Sequence, residues 1–270
     1  MKTQELEKAK ELLISVLIAV GKIQKSCFQK THAIELKESI SSIVTEVDLI
    51  CDKIAADSIS SQFPLHNILS EESGLNYKNS RYTWVIDPLD GTSNFAAGIP
   101  WFGVMIALFD NNLPLLAGAY LTMEDLLFFA ESGNGAFMNN KRLQIENAEL
   151  KNSLCSISID YTEDTAFLEQ GLAFFKFIVK NARGLRSTNS LFDFIMVADG
   201  RFGCAVNLNT KIWDIAAFWL IIKEAGGVLK HLSGDEIVFD LSEKSAFINY
   251  PVILGSLSAV DEFDSLYDIR

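Results

Sequence analysis

A change of pattern near residues 140–152 divides this chain of 270 residues into two parts. Before it, consecutive apolar runs are separated only by short turns such as Asn111-Asn112, which is typical of an antiparallel meander. After it, short apolar runs alternate with longer segments of helical periodicity, as in mixed α/β proteins. The sequence therefore predicts two packed α/β halves, residues 1–145 and 146–270, without a flexible linker between them.

Helical periodicity is clear at the start, where Leu13, Leu17 and Val20 fall on one face. Thr45 is a predicted N-cap, and Gly226 is a predicted helix terminator. The predicted helices are Thr3–Gln29, Thr45–Phe63, Asp164–Asn181, Ser190–Asp199, Asp214–Ala225 and one after Ser258. The predicted strands are two within 33–44, Asn67–Leu69, Tyr82–Ile86, Trp101–Phe109, Pro114–Thr122, Leu126–Ala130, Leu154–Ile159, one ending near Leu185, Cys204–Asn207, Val228–Lys230, Ile237–Asp240 and Val252–Gly255.

The net charge limits the partners that we expect. Lys and Arg number 23 and Asp and Glu number 35, which gives a formal net charge of −12. Nucleic acids and anionic membranes bind basic surfaces, so we expect neither as a partner. An acidic excess usually serves solubility, and the alternative is that some carboxylates converge to bind a cation.

We expect a cytoplasmic protein. The early apolar run Leu12–Val20 has nine residues, against the roughly 20 that a membrane span requires. A signal peptide begins with basic residues, whereas Glu5 and Glu7 interrupt this start. The four cysteines show no CxxC or zinc-type spacing, which favours core thiols in a reducing compartment.

Three acidic motifs lie at the ends of predicted strands or at the start of a helix. They are Ser70-Glu71-Glu72-Ser73, Asp87-Pro88-Leu89-Asp90-Gly91-Thr92 and Trp213-Asp214. In the second motif, a turn after the strand lets the carboxylates of Asp87 and Asp90 converge, with the carbonyl of Leu89 between them. Carboxylates and a backbone carbonyl are the oxygen ligands that Mg²⁺ takes. If a helix begins after Gly91, its free N–H groups would bind a phosphate beside the metal.

Each motif also has a simpler interpretation. Asp-Pro and Asp-Gly pairs are common turn sequences. Glu71-Glu72 alone would be a solvated surface pair, and Asp214 alone an ordinary acid in the first turn of a helix. The complete string after the apolar strand, with an acidic pair upstream, favours the metal site.

Taken together, these motifs resemble the inositol monophosphatase family of lithium-sensitive, Mg²⁺-dependent sugar phosphatases. The resemblance rests on Glu71-Glu72-Ser73, Asp87-Pro88-Leu89-Asp90-Gly91-Thr92, Trp213-Asp214, Glu224-Ala225-Gly226-Gly227, Val44-Thr45-Glu46-Val47-Asp48 and Leu36-Lys37, in the family's order. It implies a layered αβαβα sandwich of the inositol monophosphatase and fructose-1,6-bisphosphatase type, and a homodimer. It also implies two or three Mg²⁺ ions per site and hydrolysis of a small phosphorylated metabolite by a metal-activated water.

The resemblance also assigns residue roles. The implied metal ligands are Glu71, Asp87, the Leu89 carbonyl, Asp90 and Asp214. Thr92, Asp48 and Glu71 are the implied catalytic residues, with Thr92 bonded to Asp48 to orient a water. Gly91 and Thr92 are expected to hold the phosphate, and Glu72 and Lys37 to lie in an outer position.

The substrate end departs from the inositol pattern. The family's Gly-Thr/Ser-Ala run is replaced here by Asn189-Ser190-Leu191, and Asn207 occupies the position of a glutamate that contacts the inositol ring. Loss of polar contacts to a substrate hydroxyl changes discrimination strongly. The alternative substrates are therefore fructose 1,6-bisphosphate, 3′-phosphoadenosine nucleotides and histidinol phosphate. A regulatory protein-binding role is an alternative from another class.

Overall fold

The computed structural model describes residues 1–30, 34–36, 43–244 and 248–266 of the chain. Within them the helices are α1 (Thr3–Cys27), α2 (Glu46–Gln62), α3 (Thr92–Ala96), α4 (Thr165–Asn181), α5 (Leu191–Ala198), α6 (Ile212–Glu224) and α7 (Leu257–Leu266), with a 3-10 turn at Leu150–Asn152. In this described part, no helix is both long enough and apolar enough to cross a membrane.

The first half contains most of the strands. β1 (Ile34–Leu36) and β2 (Ile43–Thr45) form an antiparallel pair, which confirms the extended strands predicted there. The other strands are β3 (Asn67–Ser70), β4 (Gly74–Asn76), β5 (Tyr82–Asp90), β6 (Gly103–Asp110), β7 (Leu113–Leu121), β8 (Leu126–Glu131), β9 (Gly135–Met138) and β10 (Lys141–Arg142). They form one sheet in the order β10-β9-β8-β7-β6-β5-β3-β4. The segment β6–β8 is the predicted antiparallel meander, which β5 extends on one side and β9 and β10 on the other, and β3 pairs parallel to β5.

A second sheet has five strands. These are β11 (Leu154–Ser158), β12 (Gly184–Arg186), β13 (Phe202–Asn207), β14 (Val228–His231) and β15 (Val252–Gly255), in the order β12-β11-β13-β15-β14. Because β11 and β13 run parallel, Ser158 and Asn207 are register partners at the same edge of this sheet. The residues that follow these two strands are therefore brought close together.

Alternation along the strands separates three cores. On β5, Trp84 and Ile86 pack with α1 and α2, whereas Val85 faces α5 and α6. On β13, Ala205 joins that same central core, whereas Val206 packs with α4 and α7. The layers therefore run α1/α2, eight-stranded sheet, α5/α6, five-stranded sheet, α4/α7. This arrangement confirms the predicted αβαβα sandwich.

The predicted strand Ile237–Asp240 is wrong, because that segment pairs with neither sheet. Its apolar alternation arises from side-chain packing instead. Phe239 lies edge-on to Phe109 and Trp219, with ring centroids 5.1 and 5.8 Å away, while Val238 is 80% exposed. A two-residue alternation thus reflects anchoring to the central core rather than strand pairing.

Two predicted helix boundaries are confirmed. The side chain of Thr45 caps α2, and Asp48 completes a capping box with it. Gly226 has φ +90° just after α6, in the left-handed conformation that ends many helices. The four cysteines are free thiols, and all but the partly exposed Cys27 are buried.

Candidate metal centre

The segment Asp87–Asp90 forms a bulge at the end of β5. The predicted strand ended at Ile86, but β5 continues to Asp90, and its register with β6 shifts between Asp87 and Asp90. Pro88 fits this bulge because it has no N–H to donate to a ladder. The N–H of Leu89 donates to Oδ1 of Asp87 at 3.1 Å. The irregularity therefore brings two carboxylates to one edge of the sheet.

A buried glutamine on α1 contacts the bulge from the α1/α2 layer. The side chain of Gln24 has no exposed surface, and its Nε2 donates to the carbonyls of Pro88 (2.9 Å) and Gly103 (3.0 Å). Its Oε1 accepts a hydrogen bond from the hydroxyl of Thr122. These bonds tie α1 to the bulge at Pro88 and to the first residue of β6, and they give each buried carbonyl a hydrogen-bond donor.

Asp214 reaches the bulge from a different layer. It lies in the first turn of α6, where its Oδ2 accepts a hydrogen bond from the N–H of Lys211 at 2.6 Å. α6 is packed between the two sheets and contacts β5. As a result, Asp87, Asp90 and Asp214 each offer one oxygen within 4.8 Å of the others.

This donor set suits a hard divalent cation. The three carboxylates contribute only oxygen atoms, and the carbonyl oxygen of Leu89 lies nearby, 2.9 Å from Thr92 Oγ1. Mg²⁺ prefers carboxylate and carbonyl oxygens completed by water, whereas zinc sites more often use histidine and cysteine. The residues present therefore fit Mg²⁺.

Carboxylates gathered in this way resist ionisation. Burial raises the pKa of Asp90 from 3.8 to about 7, with a further increase from the charge of Glu71 and an opposing effect of the hydrogen bond from the Leu191 N–H. Burial and the charge of Asp90 raise the pKa of Asp214 to about 7, against a smaller opposing effect of Lys211. A cation must displace protons from this site near neutral pH, so its affinity should increase with pH.

Thr92 is held next to these carboxylates by a fixed network. Its Oγ1 lies 2.8 Å from Asp48 Oδ1 and 2.9 Å from the Leu89 carbonyl. The other oxygen of Asp48 accepts hydrogen bonds from the N–H (2.9 Å) and the hydroxyl (2.5 Å) of Thr45. The capping box of α2 therefore fixes Asp48, and Asp48 in turn fixes the Thr92 hydroxyl.

Gly91 links the bulge to α3 in a conformation that requires glycine. Its φ is +82°, and a Cβ at this position would lie 2.5 Å from the carbonyl oxygen of Trp101. Any larger residue would have to displace backbone. The positive φ of Gly91 thus lets the chain turn directly from the end of β5 into α3, whose first residue is Thr92.

A cavity of about 110 Å³ opens beside Asp90 and Asp214. The other residues lining it are Asp160, Asn189, Ser190, Leu191, Phe194, Asn207 and Asn209. All four residues predicted at the substrate end are therefore brought together next to the carboxylates. They come from the end of β13 and from the segment that leads into α5.

Three predicted site residues, Glu71, Glu72 and Lys37, are not among the converging carboxylates that the described residues form. The N–H of Glu71 donates to the Ile86 carbonyl at 3.1 Å, which holds the residue beside β5, and its charge acts on Asp90. Neither Glu71 nor the partly buried Glu72 belongs to the group of three converging carboxylates found in the described part of the chain. Lys37 lies outside the described residues.

Sequence analysis missed two acidic residues near the cavity. Asp160 lines it two residues after the end of β11. Asp193 is buried on α5 and accepts hydrogen bonds from Ser158 Oγ (3.0 Å) and the Thr188 N–H (3.1 Å). Burial raises the pKa of the Asp193 carboxyl, and partial desolvation raises the pKa of Asp160, whose side chain is otherwise exposed. No motif marks either residue, and it is the parallel pairing of β11 with β13 in the structure that brings the segment after β11 beside Asn207.

Comparisons with known proteins identify the family and the fold of this chain. A family model described as the inositol monophosphatase family matches residues 5–259. A putative Nus factor SuhB of Neisseria meningitidis serogroup B is 34% identical over 202 residues, covering 74% of this chain and 77% of that protein. A fructose-1,6-bisphosphatase/inositol-1-monophosphatase of Thermotoga maritima is 34% identical over 227 residues, covering 83% and 84%. The solved structure of a Thermotoga maritima IMPase matches with a TM-score of 0.83 and 30% identity, over 96% of each chain.

Proposed function

Because this chain belongs to the inositol monophosphatase family, we propose that it is a Mg²⁺-dependent phosphomonoesterase acting on a small sugar or inositol phosphate. The observation that carries the proposal is the convergence of Asp87, Asp90 and Asp214 from two layers of the fold. With the Leu89 carbonyl and Glu71, these residues would hold two or three Mg²⁺ ions. Bound Mg²⁺ supplies a water of lowered pKa and charge stabilisation for the leaving oxygen.

The chain's own residues would orient the reactants. When the Thr92 hydroxyl donates its single proton to Asp48, its lone pairs are left to accept a hydrogen bond from the attacking water. Glu71 would accept a second hydrogen bond from that water. The amides of Gly91 and Thr92 would hold the phosphate oxygens. This arrangement needs no protein nucleophile, so hydrolysis would proceed without a covalent phospho-enzyme.

The family resemblance supports further proposals. We propose that the protein is a cytoplasmic homodimer inhibited by Li⁺, and that the halves 1–145 and 146–270 meet at the active site. One relative is named a putative Nus factor, which keeps a regulatory protein-binding role as the second candidate. That role predicts a stoichiometric protein partner whose capture is unaffected by Asp90→Asn.

The test is phosphate release by purified protein from a panel of phosphomonoesters, with EDTA and with added Mg²⁺. We expect Mg²⁺-dependent turnover that falls by at least about 100-fold in Asp90→Asn and in Thr92→Val, because each change removes a group from the water or metal site. Asp261→Asn, an exposed site on α7, is the matched control and should keep full activity. Absence of turnover on the whole panel, or normal turnover by Asp90→Asn, would refute the proposal.

A further inference from the structure

The cavity beside the carboxylates carries one charged group of its own. Of the residues that line it, Asp90 and Asp214 belong to the proposed metal site, and the remaining charged residue is Asp160. No basic residue lines this cavity among the described parts of the chain. Lys211 acts on Asp214 from outside the lining. Asp160, whose side chain is exposed, therefore adds a third negative charge to the cavity lining, and its charge acts on both Asp90 and Asp214.

Asp160 is held in place by Asn189. The Nδ2 of Asn189 donates to Asp160 Oδ1 and to the Ile159 carbonyl, both at 2.9 Å, and its Oδ1 accepts a hydrogen bond from Ser187 Oγ at 2.9 Å. Asn189 has φ +50°, a left-handed conformation that asparagine tolerates better than most residues. The loop before α5 thereby fixes the acidic group at the end of β11.

The cavity combines a hydrogen-bond donor, the Asn207 amide, with the hydrogen-bond acceptor Asp160. Asn207 uses its Oδ1 to accept a hydrogen bond from the Asn209 N–H at 3.0 Å, which leaves its Nδ2 as a donor. An ionised carboxylate accepts hydrogen bonds and does not donate them. It therefore favours hydroxyl or ammonium groups and repels a second phosphate, which is also negative.

We propose that Asp160 makes this pocket select phosphomonoesters whose leaving group carries hydroxyl or ammonium donors and no second phosphate. The inference rests on the proposed phosphatase function and assigns the specificity of the same site. Asp160 acts on the leaving group, so its effect appears in the choice among substrates. Asn189 is a positioning residue that acts through Asp160.

The experiment compares kcat/KM for inositol 1-phosphate, histidinol phosphate and fructose 1,6-bisphosphate in wild type and Asp160→Asn, with Asp261→Asn as control. Wild type should prefer either monophosphate over the bisphosphate by at least about tenfold. Asp160→Asn should raise kcat/KM for the bisphosphate about tenfold, mainly through KM, because the repulsion is removed. The same variant should lower kcat/KM for histidinol phosphate. If kcat/KM falls for histidinol phosphate alone, ammonium is the favoured donor. If it falls for inositol 1-phosphate alone, hydroxyl is the favoured donor.

Asn189→Gly tests the positioning role, because glycine keeps the positive φ and removes the amide. It should shift the substrate preference in the same direction as Asp160→Asn, by a smaller factor. Asp160→Ser replaces Asp160→Asn if the latter unfolds, as judged by circular dichroism. Equal use of bisphosphate and monophosphate by wild type, or a preference unchanged in the Asp160 variants, overturns the inference. Inactivity of wild type on every substrate refutes the proposed function instead, so the two failures are distinguishable.

Discussion

Gln24 should be among the most sensitive positions for stability, although it contacts no substrate. Its amide bonds to the Pro88 and Gly103 carbonyls and to the Thr122 hydroxyl, and it is fully buried. We consider Gln24→Met, which keeps the length of an unbranched side chain and the helix propensity but removes both polar groups.

The expected change in the free energy of unfolding follows from the buried polar groups that lose their hydrogen-bond partner. Each buried polar group that loses its partner costs about 1–3 kcal/mol. Three such groups are affected, namely the Pro88 and Gly103 carbonyls and the Thr122 hydroxyl. Burying a thioether instead of an amide returns about 1–2 kcal/mol. We therefore expect Gln24→Met to lower the free energy of unfolding by about 3–5 kcal/mol.

The assay is urea unfolding of the metal-free proteins followed by circular dichroism, with Gln170→Met as the matched control. Gln170 is exposed on α4, so the same substitution there should change the free energy of unfolding by less than about 0.5 kcal/mol. Since Gln24 also supports the bulge, the variant should need more Mg²⁺ for half-maximal activity. A loss of stability within 1 kcal/mol of the control would refute the argument that these bonds hold the bulge.

Three further predictions concern the site itself. Asp90→Asn should stabilise the metal-free protein, by up to about 4 kcal/mol at 1.36 kcal/mol per pKa unit, because the folded-state pKa lies near 7 instead of 3.8. As pH rises from about 4 to 7, the free energy of unfolding of the wild type falls relative to that of the variant, because the folded wild type has to ionise Asp90. The melting temperatures of the two proteins should therefore diverge over that range and remain apart above it. A constant difference in melting temperature at every pH would contradict the reasoning. Gly91→Ala should destabilise the fold by at least about 2 kcal/mol in urea titrations, since its Cβ would meet the Trp101 carbonyl at 2.5 Å, and an unchanged midpoint would show that the backbone yields. The Mg²⁺ affinity measured by calorimetry should weaken as pH falls below about 7, because protons compete for Asp90 and Asp214; a pH-independent affinity would be evidence against the proposed site.

The core of the site is predictable from sequence because its chemistry is local. Asp87 and Asp90 are three residues apart at a strand end, and their convergence needs only a turn, which the structure provides as a bulge. The contact between Thr45 and Asp48 is likewise predictable, because a capping box follows from residue type and spacing. The layered arrangement followed from the resemblance carried by these motifs and is confirmed.

Other parts depend on contacts between distant residues and are not readable in this way. The spacing from Leu17 and Val20 places Gln24 on the apolar face of α1, but its partners lie 64 and 79 residues away, so the bonds it makes cannot be predicted from the sequence. Asp160 belongs to no motif, and it reaches the cavity only because β11 and β13 are parallel neighbours. The apolar alternation of Ile237–Asp240 fits a strand as well as it fits packing onto Phe109, and only the structure distinguishes them.

The position of Asp214 on α6 has a consequence for how the protein is made. This aspartate is synthesised about 120 residues after Asp90, so at about 5–20 residues per second a ribosome needs about 6–24 s to supply it. α6 then has to settle against the eight-stranded sheet and be covered by the five-stranded sheet, whose last strand ends at Gly255. A nascent chain that ends before α6 therefore presents two carboxylates without the third, and the proposed cation site is complete only after α6 and the five-stranded sheet have formed.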